Sequence, residues 1–473
     1  MIVGNLNVKH DIKVILFFEE SGFDKINKLV KIPSHIKKDF KAKQTDIIPF
    51  YNKTDLIVLG CLGSKDIEID GFKKKIRSII SFLKNYPNKK PLFILGESME
   101  EHQIQIIYEN YYKFDYKTGK SSKKSKKNKN ESKKHSQKSK NHNNKFYIYC
   151  KNKNINPKNQ MIMAESIELL KNLGDEPSNK LTPDLYIKRI KEVCKEADLI
   201  VKIYNSKILK KMGFNSLLSV SQGSNFDGYL VEIHHKHSKE KPMILAGKGI
   251  TFDTGGISIK GSRSLYEMKG DMIGSAIVLS TMRNLGLMKV KKNVIGLLAI
   301  AENMPDSNAI KPGDVVKSHS GKTIEIMDTD AEGRLVLADA LSYSMKFKPR
   351  LIIDIATLTG QQQSMSCGLF GSIMGFKDET IKKLIELGDK TGDRLVKLPL
   401  YQEFINHTKS KIADVKNSEY KCRAGTIQAG AFLSHFVKKE SNWIHLDVAG
   451  PTFFNGRTQS YGVRLLTKIV KEY

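Results

Sequence analysis

Short apolar runs alternate with amphipathic stretches along most of the chain. Residues 13–18 (KVILFF), 55–60 (DLIVLG) and 91–96 (PLFILG) are nearly unbroken apolar runs, the pattern of strands buried on both faces. Between the last two, residues 71–86 (GFKKKIRSIISFLKNY) place apolar side chains at helical spacing, and 99–112 is a second helix candidate. The segments YYKFDY (111–116) and FYIYC (146–150) read as strands on either side of a polar stretch. These elements predict a small α/β domain.

The pattern continues with helices expected at 160–173 and 183–197 and a strand at 198–204. Residues 243–246 read as a buried strand that ends in a Gly-Lys-Gly turn. Further strands are expected at 294–301, 351–357 and 443–448, and helices at 275–285, 335–345 and 430–439. Buried strands interleaved with helices imply a mixed, mostly parallel sheet flanked by helices, with ligands at the carboxyl ends of its strands. The chain is thus read as α/β with two domains, 1–158 and a larger 159–473, the boundary falling near 155–165. His234, His235 and His237 lie between the apolar segments YLVEI and PMILA, and read better as a hairpin loop than as a metal cluster.

Composition adds three constraints. Forty per cent of the 473 residues are hydrophobic, enough for substantial cores. The five cysteines (Cys61, Cys150, Cys194, Cys367, Cys422) are scattered and form no CxxC pair, which points to a reducing compartment. The opening MIVGNLNVKHDIKVILFFEE has no long apolar core of a secretory signal, and no apolar run approaches membrane-spanning length, so a cytoplasmic protein without a membrane partner is expected.

Eleven of the twenty-nine net positive charges fall in residues 117–145 (KTGKSSKKSKKNKNESKKHSQKSKNHNNK); the other eighteen are spread over the rest of the chain. A segment so poor in apolar residues cannot form a core and is expected to be a disordered surface insertion in the first domain. An arm that binds RNA or another polyanion is the alternative, although no aromatic residue within it is available to stack on bases.

Candidate chemistry concentrates in two stretches. The first is IEIMDTDAEGRLVLADAL (324–341), where Asp328, Asp330 and Glu332 alternate before a run of helix formers that begins with Arg334. In an extended segment, residues two apart share a face, so these carboxylates are expected to converge. A divalent cation would relieve their repulsion; an acidic first turn facing a helix dipole is the plainer reading. The second stretch is MILAGKGITFDTGGISIKGSRSLYEMKGDMIGS (243–275), with Lys248, Asp253, Lys260 and Asp271 set among glycines that permit close backbone approach. The GxxxxGK[ST] spacing of a phosphate-binding loop is missing, which disfavours phosphoryl chemistry.

Together these stretches resemble the catalytic half of the leucyl aminopeptidases, the two-metal cytosol aminopeptidase family. The resemblance rests on DTDAEGRL (328–335), GKGITFDTGGISIK (247–260), MKGDM (268–272), AENMP (301–305) and PGD (312–314). It continues through DIATLTG (354–360), LPL (398–400), ADVKN (413–417), AGTIQAGAFL (424–433) and HLDVAGP (445–451), in family order over nearly all of 160–473. It implies a metal-dependent exopeptidase that releases N-terminal residues, preferably Leu or other apolar ones, by attack of a water shared between two divalent ions. The ions would be Zn²⁺ or Mn²⁺, with Mg²⁺ or Co²⁺ as further candidates.

By resemblance, Lys248, Asp253, Asp271 and Glu332 hold one ion and Asp253, Asp330 and Glu332 the other. Four carboxylates balance two divalent ions if Lys248 is neutral, and a salt bridge from Lys248 to Asp253 is the competing structural reading. Lys260 would polarise the scissile carbonyl, and Arg334 would hold a bicarbonate ion acting as general base. One ion would take the substrate's free α-amine. Met268, Thr357, Gly360 and Ala449 would line the first side-chain pocket. The first domain would be the family's non-catalytic one, and a homohexamer is implied. Position 328 departs from the family's asparagine: Asp328 is expected on the face of Asp330 and Glu332, behind the ligands. A fold kept for nucleic-acid binding through the basic surface is the alternative function.

Overall fold

The computed structural model describes residues 156–473 continuously. Before them it describes 10–19, 47–52, 55–62, 69–86, 89–95, 101–111 and 147–149, with a few isolated residues. The lysine-rich 117–145 stretch and the expected strand at 111–116, apart from Tyr111, lie outside the described residues. The chain divides into two compact units, Met1–Ala164 and Glu165–Tyr473.

In the first unit a six-stranded sheet runs Ile2–Val3, Tyr147–Tyr149, Pro91–Leu95, Ile12–Phe17, Asp55–Cys61 and Ile47–Asn52. The last pair is antiparallel and the others are parallel. Alternation along Ile12–Phe17 explains why it is apolar at every position but Lys13. Val14 and Leu16 pack with Phe72, Ile76 and Ile79 of the helix Ile69–Leu83, whereas Ile15 and Phe17 join a core with Ile57 and Ile94. A further helix among the described residues of this unit is Glu101–Tyr111.

The second unit is built on an eight-stranded mixed sheet. Its order is Leu395–Lys397, Gly371–Gly375, Trp443–Asp447, Leu351–Ala356, Met243–Asp253, Asn293–Asn303, Tyr229–Lys236 and Ile200–Tyr204. The four strands from Trp443–Asp447 to Asn293–Asn303 are parallel. Tyr229–Lys236 and Gly371–Gly375 run antiparallel to their inner neighbours. Helix Gly333–Ser344 shares a core with Ile244, Ala246, Ile295 and Leu297 on one face. The alternate positions Gly247 and Gly296 face helix Ile273–Met288, so the sheet is covered by helices on both sides. Among the described residues no helix is long and apolar enough to cross a membrane.

Three local expectations fail, each for a packing reason. Gly247 and Gly249 do not end a strand, because Met243–Asp253 runs unbroken through them. A Cβ on Gly247 would stand 2.6 Å from Ser275 Cα, so this glycine marks close strand-to-helix approach rather than a turn. YLVEI and PMILA do not form a hairpin: Tyr229–Lys236 pairs with Asn293–Asn303, which separates it from Met243–Asp253. His234 and His235 therefore lie inside a strand, where His234 Nε2 meets Glu232 Oε1 at 2.5 Å and His235 stacks on His237. The helix expected at 430–439 is Gly425–Leu433 instead. Gly430 sits within it against Met374, whose Cε would be 2.6 Å from an added Cβ, so that glycine serves packing and does not mark the start.

Candidate metal centre

The long strand Met243–Asp253 carries Lys248 at its middle and Asp253 at its end. Gly255 (φ 88°) and Gly256 (φ 65°) then turn the chain in the left-handed region. A Cβ at Gly255 would lie 2.4 Å from Ser258 O and 3.0 Å from Asp330 Oδ1, so only glycine lets this turn approach the acids. Lys260 follows, its N–H donating to Thr254 O at 2.8 Å. Asp271 comes from the end of a 3-10 turn (Tyr266–Gly270), just before helix Ile273–Met288. Asp330 and Glu332 immediately precede helix Gly333–Ser344. A Cβ on Gly333 would sit 2.5 Å from Lys248 Cε, so this glycine makes room for the lysine.

Asp253, Asp330 and Glu332 each offer a carboxylate oxygen within 4.8 Å of the others, the spacing of groups able to share a cation. Lys248 Nζ lies 2.8 Å from both Asp271 Oδ1 and Glu332 Oε1, and donates to Thr357 O at 3.1 Å. Lys260 Nζ is 2.8 Å from Asp253 Oδ2 and also contacts Asp330 Oδ1. Lys248 thus pairs with Asp271 and Glu332, not with Asp253 as the salt-bridge reading required. Lys248, Asp253, Asp271 and Glu332 are buried, while Asp330 is partly open.

Among the described residues, Asp271 Oδ2 and Glu332 Oε2 are buried without a hydrogen-bond partner. Unsatisfied buried carboxylate oxygens carry a large desolvation penalty, and a cation is the group that removes it. The donor set (carboxylates with one amine) suits hard or borderline divalent ions.

Electrostatics agree with crowding. Burial pushes the Asp330 carboxyl up to about 7, with Asp253 and Glu332 adding repulsion and Lys260 opposing. Burial raises Asp271 well above the usual carboxylate range. For Glu332 burial acts upward, but Lys248 and Lys260 outweigh it and the net direction is down. Burial pulls the Lys248 ammonium down; Asp271, Glu332 and Asp253 together overcome it and hold the proton on.

The acids do not converge by extended alternation. The only strand here is Thr323–Glu325, and Glu332 already has helical dihedrals (φ −76°, ψ −36°). Asp328 Oδ1 accepts the backbone N–H of Asp330 at 2.9 Å, forming a turn that throws Asp330 and Glu332 forward while Asp328 stands outside the trio. The expectation that all these acids follow sheet strands also fails, because Asp271, Asp330 and Glu332 precede helices.

Two asparagines that the sequence reading passed over organise the site. A register shift between Ala301 and Asn303 sets Asn303 opposite Asp253, and its Nδ2 donates to Asp253 Oδ1 at 2.8 Å and to Thr329 O at 3.1 Å. Asn417 Oδ1 accepts from Met327 N at 2.8 Å and Asp328 N at 3.3 Å, while its Nδ2 donates to Asp328 O at 2.6 Å. Both sit inside segments noted for resemblance (AENMP and ADVKN), which was the available signal.

Arg334 is buried in the first turn of helix Gly333–Ser344; its Nη1 donates to Asn417 O at 2.6 Å and its Nε has no partner. Thr357 follows strand Leu351–Ala356 and donates to Asp271 Oδ1 at 3.0 Å, which ties it to the acids. Gly360 and Ala449 begin the short helices Gly360–Ser366 and Ala449–Thr452, joined where Gly450 N donates to Gln362 Oε1 at 2.6 Å. Met268 lies in the 3-10 turn leading to Asp271. A cavity of about 760 Å³ lined by Asp184, Lys210, Asn215, Phe226 and Lys317 shares no residue with this site.

A family model described as the catalytic domain of the cytosol aminopeptidase family matches residues 168–467. Three curated relatives agree over spans from 297 to 471 residues. A probable cytosol aminopeptidase of Wigglesworthia glossinidia brevipalpis is 36% identical over 471 residues, covering 94% of this chain and 91% of that protein. Another, of Brucella melitensis biotype 1, is 41% identical over 390 residues, covering 80% and 78%. A third, of Azotobacter vinelandii, is 43% identical over 297 residues, covering 62% and 60%.

Proposed function

The chain belongs to the cytosol aminopeptidase family and is an aminopeptidase, and on that premise we propose that it works with two divalent ions held by Lys248, Asp253, Asp271, Asp330 and Glu332. The observation that carries this reading is the Asp253–Asp330–Glu332 cluster, with buried oxygens of Asp271 and Glu332 left without hydrogen bonds beside it. Asp253 and Glu332 would be the ligands common to both ions. When bound, such ions supply a Lewis-acid centre and an activated water for carbonyl attack. Zn²⁺ or Mn²⁺ suits the donor set best, with Mg²⁺ and Co²⁺ as weaker candidates. Lys248 ligates only after losing its proton, so loading the site releases protons.

The remaining side chains position and stabilise. Lys260, already among the acids, donates to the oxygen that gains charge as the peptide carbonyl is attacked. Among the described residues the buried Nε of Arg334 has no partner, so its guanidinium would hold a planar anion such as bicarbonate, which would supply a general base there. Met268, Thr357, Gly360 and Ala449 form an apolar pocket for the first side chain and favour Leu. The chemistry belongs to residues 159–473, in a cytoplasmic homohexamer that acts on peptides. A polyanion-binding role for residues 117–145 is the secondary reading, supported by their charge alone.

The reading is tested with leucyl-p-nitroanilide and its N-acetylated form. Hydrolysis of the first and not the second supports an amine-recognising exopeptidase. Equal hydrolysis of both contradicts it.

A further inference from the structure

Asp447 ends the strand Trp443–Asp447, paired in register with Ala356 of its neighbour, and is completely buried. A buried carboxylate is retained only where hydrogen bonds satisfy it. Its Oδ1 accepts from Leu358 N at 3.2 Å and from Ala449 N at 3.3 Å. Its Oδ2 accepts from the Thr359 hydroxyl at 2.6 Å. All three donors lie in the two segments that carry Thr357 and Gly360 on one side and Ala449 on the other.

Thr359 extends the tie. It caps the helix Gly360–Ser366, accepting from Gln362 N at 3.2 Å, and meets the Thr426 hydroxyl at 2.8 Å. Gln362 in turn accepts from Gly450 N, closing a ring from Asp447 through both short helices. On the far side, Thr357 O accepts from Lys248 Nζ and Thr357 Oγ1 donates to Asp271, so the same segment borders the acids.

We propose that Asp447 is a positioning residue that fixes the width of the first side-chain pocket by holding the 357–360 segment and Ala449 at a set separation. This rests on the pocket assigned above to Met268, Thr357, Gly360 and Ala449. The carboxylate touches neither substrate nor ions; it acts through the backbone it anchors. Removing it leaves two half-buried N–H groups without their acceptor, and the segments shift to let water replace it.

The test compares Asp447→Ala, Asp447→Asn and Thr359→Val with the parent, all metal-loaded, on leucyl, alanyl and glycyl amides. Metal content is measured on each protein. In Asp447→Ala the preference for Leu over Gly in kcat/KM falls about 10-fold, through a higher KM for the leucyl substrate, with metal content unchanged. Thr359→Val shifts the ratio in the same direction by less. Asp447→Asn restores most of it, since an amide oxygen still accepts from Leu358 and Ala449. A parent that prefers Leu, with variants slowed equally on all three amides, overturns the role of Asp447 while leaving the peptidase reading intact. If the alanine variant does not fold, an unchanged ratio in Thr359→Val overturns it equally. A parent indifferent to the first side chain contradicts the pocket itself, and this proposal with it.

Discussion

The backbone oxygen of Asn417 accepts a 2.6 Å hydrogen bond from Nη1 of Arg334, while Nε of the same buried guanidinium has no partner. One edge of the arginine is thus pinned by protein, while its Nε makes no hydrogen bond among the described residues. Through its side chain Asn417 also holds the loop that presents Asp330 and Glu332, so one residue sets both the acids and the arginine. If a bicarbonate ion sits on Arg334, Arg334→Ala removes the rate response to added bicarbonate and lowers kcat by about 10²-fold, with metal content retained. An undiminished bicarbonate response in the variant assigns the free Nε to another partner.

Lys260 contacts Asp253 and Asp330, which places an ammonium beside the acid cluster, where the proposed reading gives it the carbonyl oxygen that gains charge. Lys260→Ala is expected to cut kcat by about 10²–10³-fold while KM and metal content change little. Loss of metal in step with rate would show that this lysine holds the acids together rather than stabilising the transition state.

Asp328 bears on how much of the site was legible. Its carboxylate accepts from the Asp330 N–H, a bond that an asparagine oxygen makes equally well. Asp328→Asn should therefore leave kcat/KM and metal affinity within about 2-fold of the parent, an Asx turn needing only the acceptor. A displaced acid limb in the pH–rate profile would mean that the charge at 328 reaches the ions after all.

The same residue shows where sequence reasoning ran out. Spacing singled out Asp330 and Glu332, and the fold does bring their carboxylates together with that of Asp253. Spacing gave the wrong reason, since a turn, not an extended strand, brings them forward. The alternating sheet elements were readable for a similar cause: runs such as 351–357 and 443–448 are largely apolar, broken only by Asp354 and Thr357 and by His445 and Asp447, a density that suits a strand covered on both faces. Glycine was ambiguous. Gly255 and Gly256 turn the chain in the left-handed region beside the acids, whereas Gly247 and Gly430 are small for the sake of neighbours far away in sequence. Asn303 and Asn417 could not be assigned roles from sequence, because their partners lie 50 and about 90 residues away and only the folded chain brings them together.

A prediction outside the site concerns Asp339, buried in helix Gly333–Ser344 and accepting from His319 N and Leu217 N. Burial pushes its carboxyl up to about 7, with those backbone donors opposing. The folded state therefore binds the proton more tightly than the unfolded chain does. Its contribution to stability is fullest below the unfolded pKa near 4 and declines as pH rises towards 7. Denaturant unfolding at pH 5 and pH 8 should show a larger loss of stability for the parent than for Asp339→Asn, which cannot titrate. Parallel pH dependences would mean that the hydrogen bonds hold Asp339 ionised throughout.

The central claim is that Asp253 and Glu332 are shared by two ions. It is tested most directly by counting metal per chain, by plasma mass spectrometry, after exhaustive chelation and reloading with Zn²⁺ or Mn²⁺, alongside leucyl-amide hydrolysis. The account predicts no activity in the stripped protein. It predicts recovery that tracks loading to about two ions per chain, and loss of both ions together in Glu332→Ala. Full activity with no bound metal, or saturation at a single ion with full activity, would contradict it.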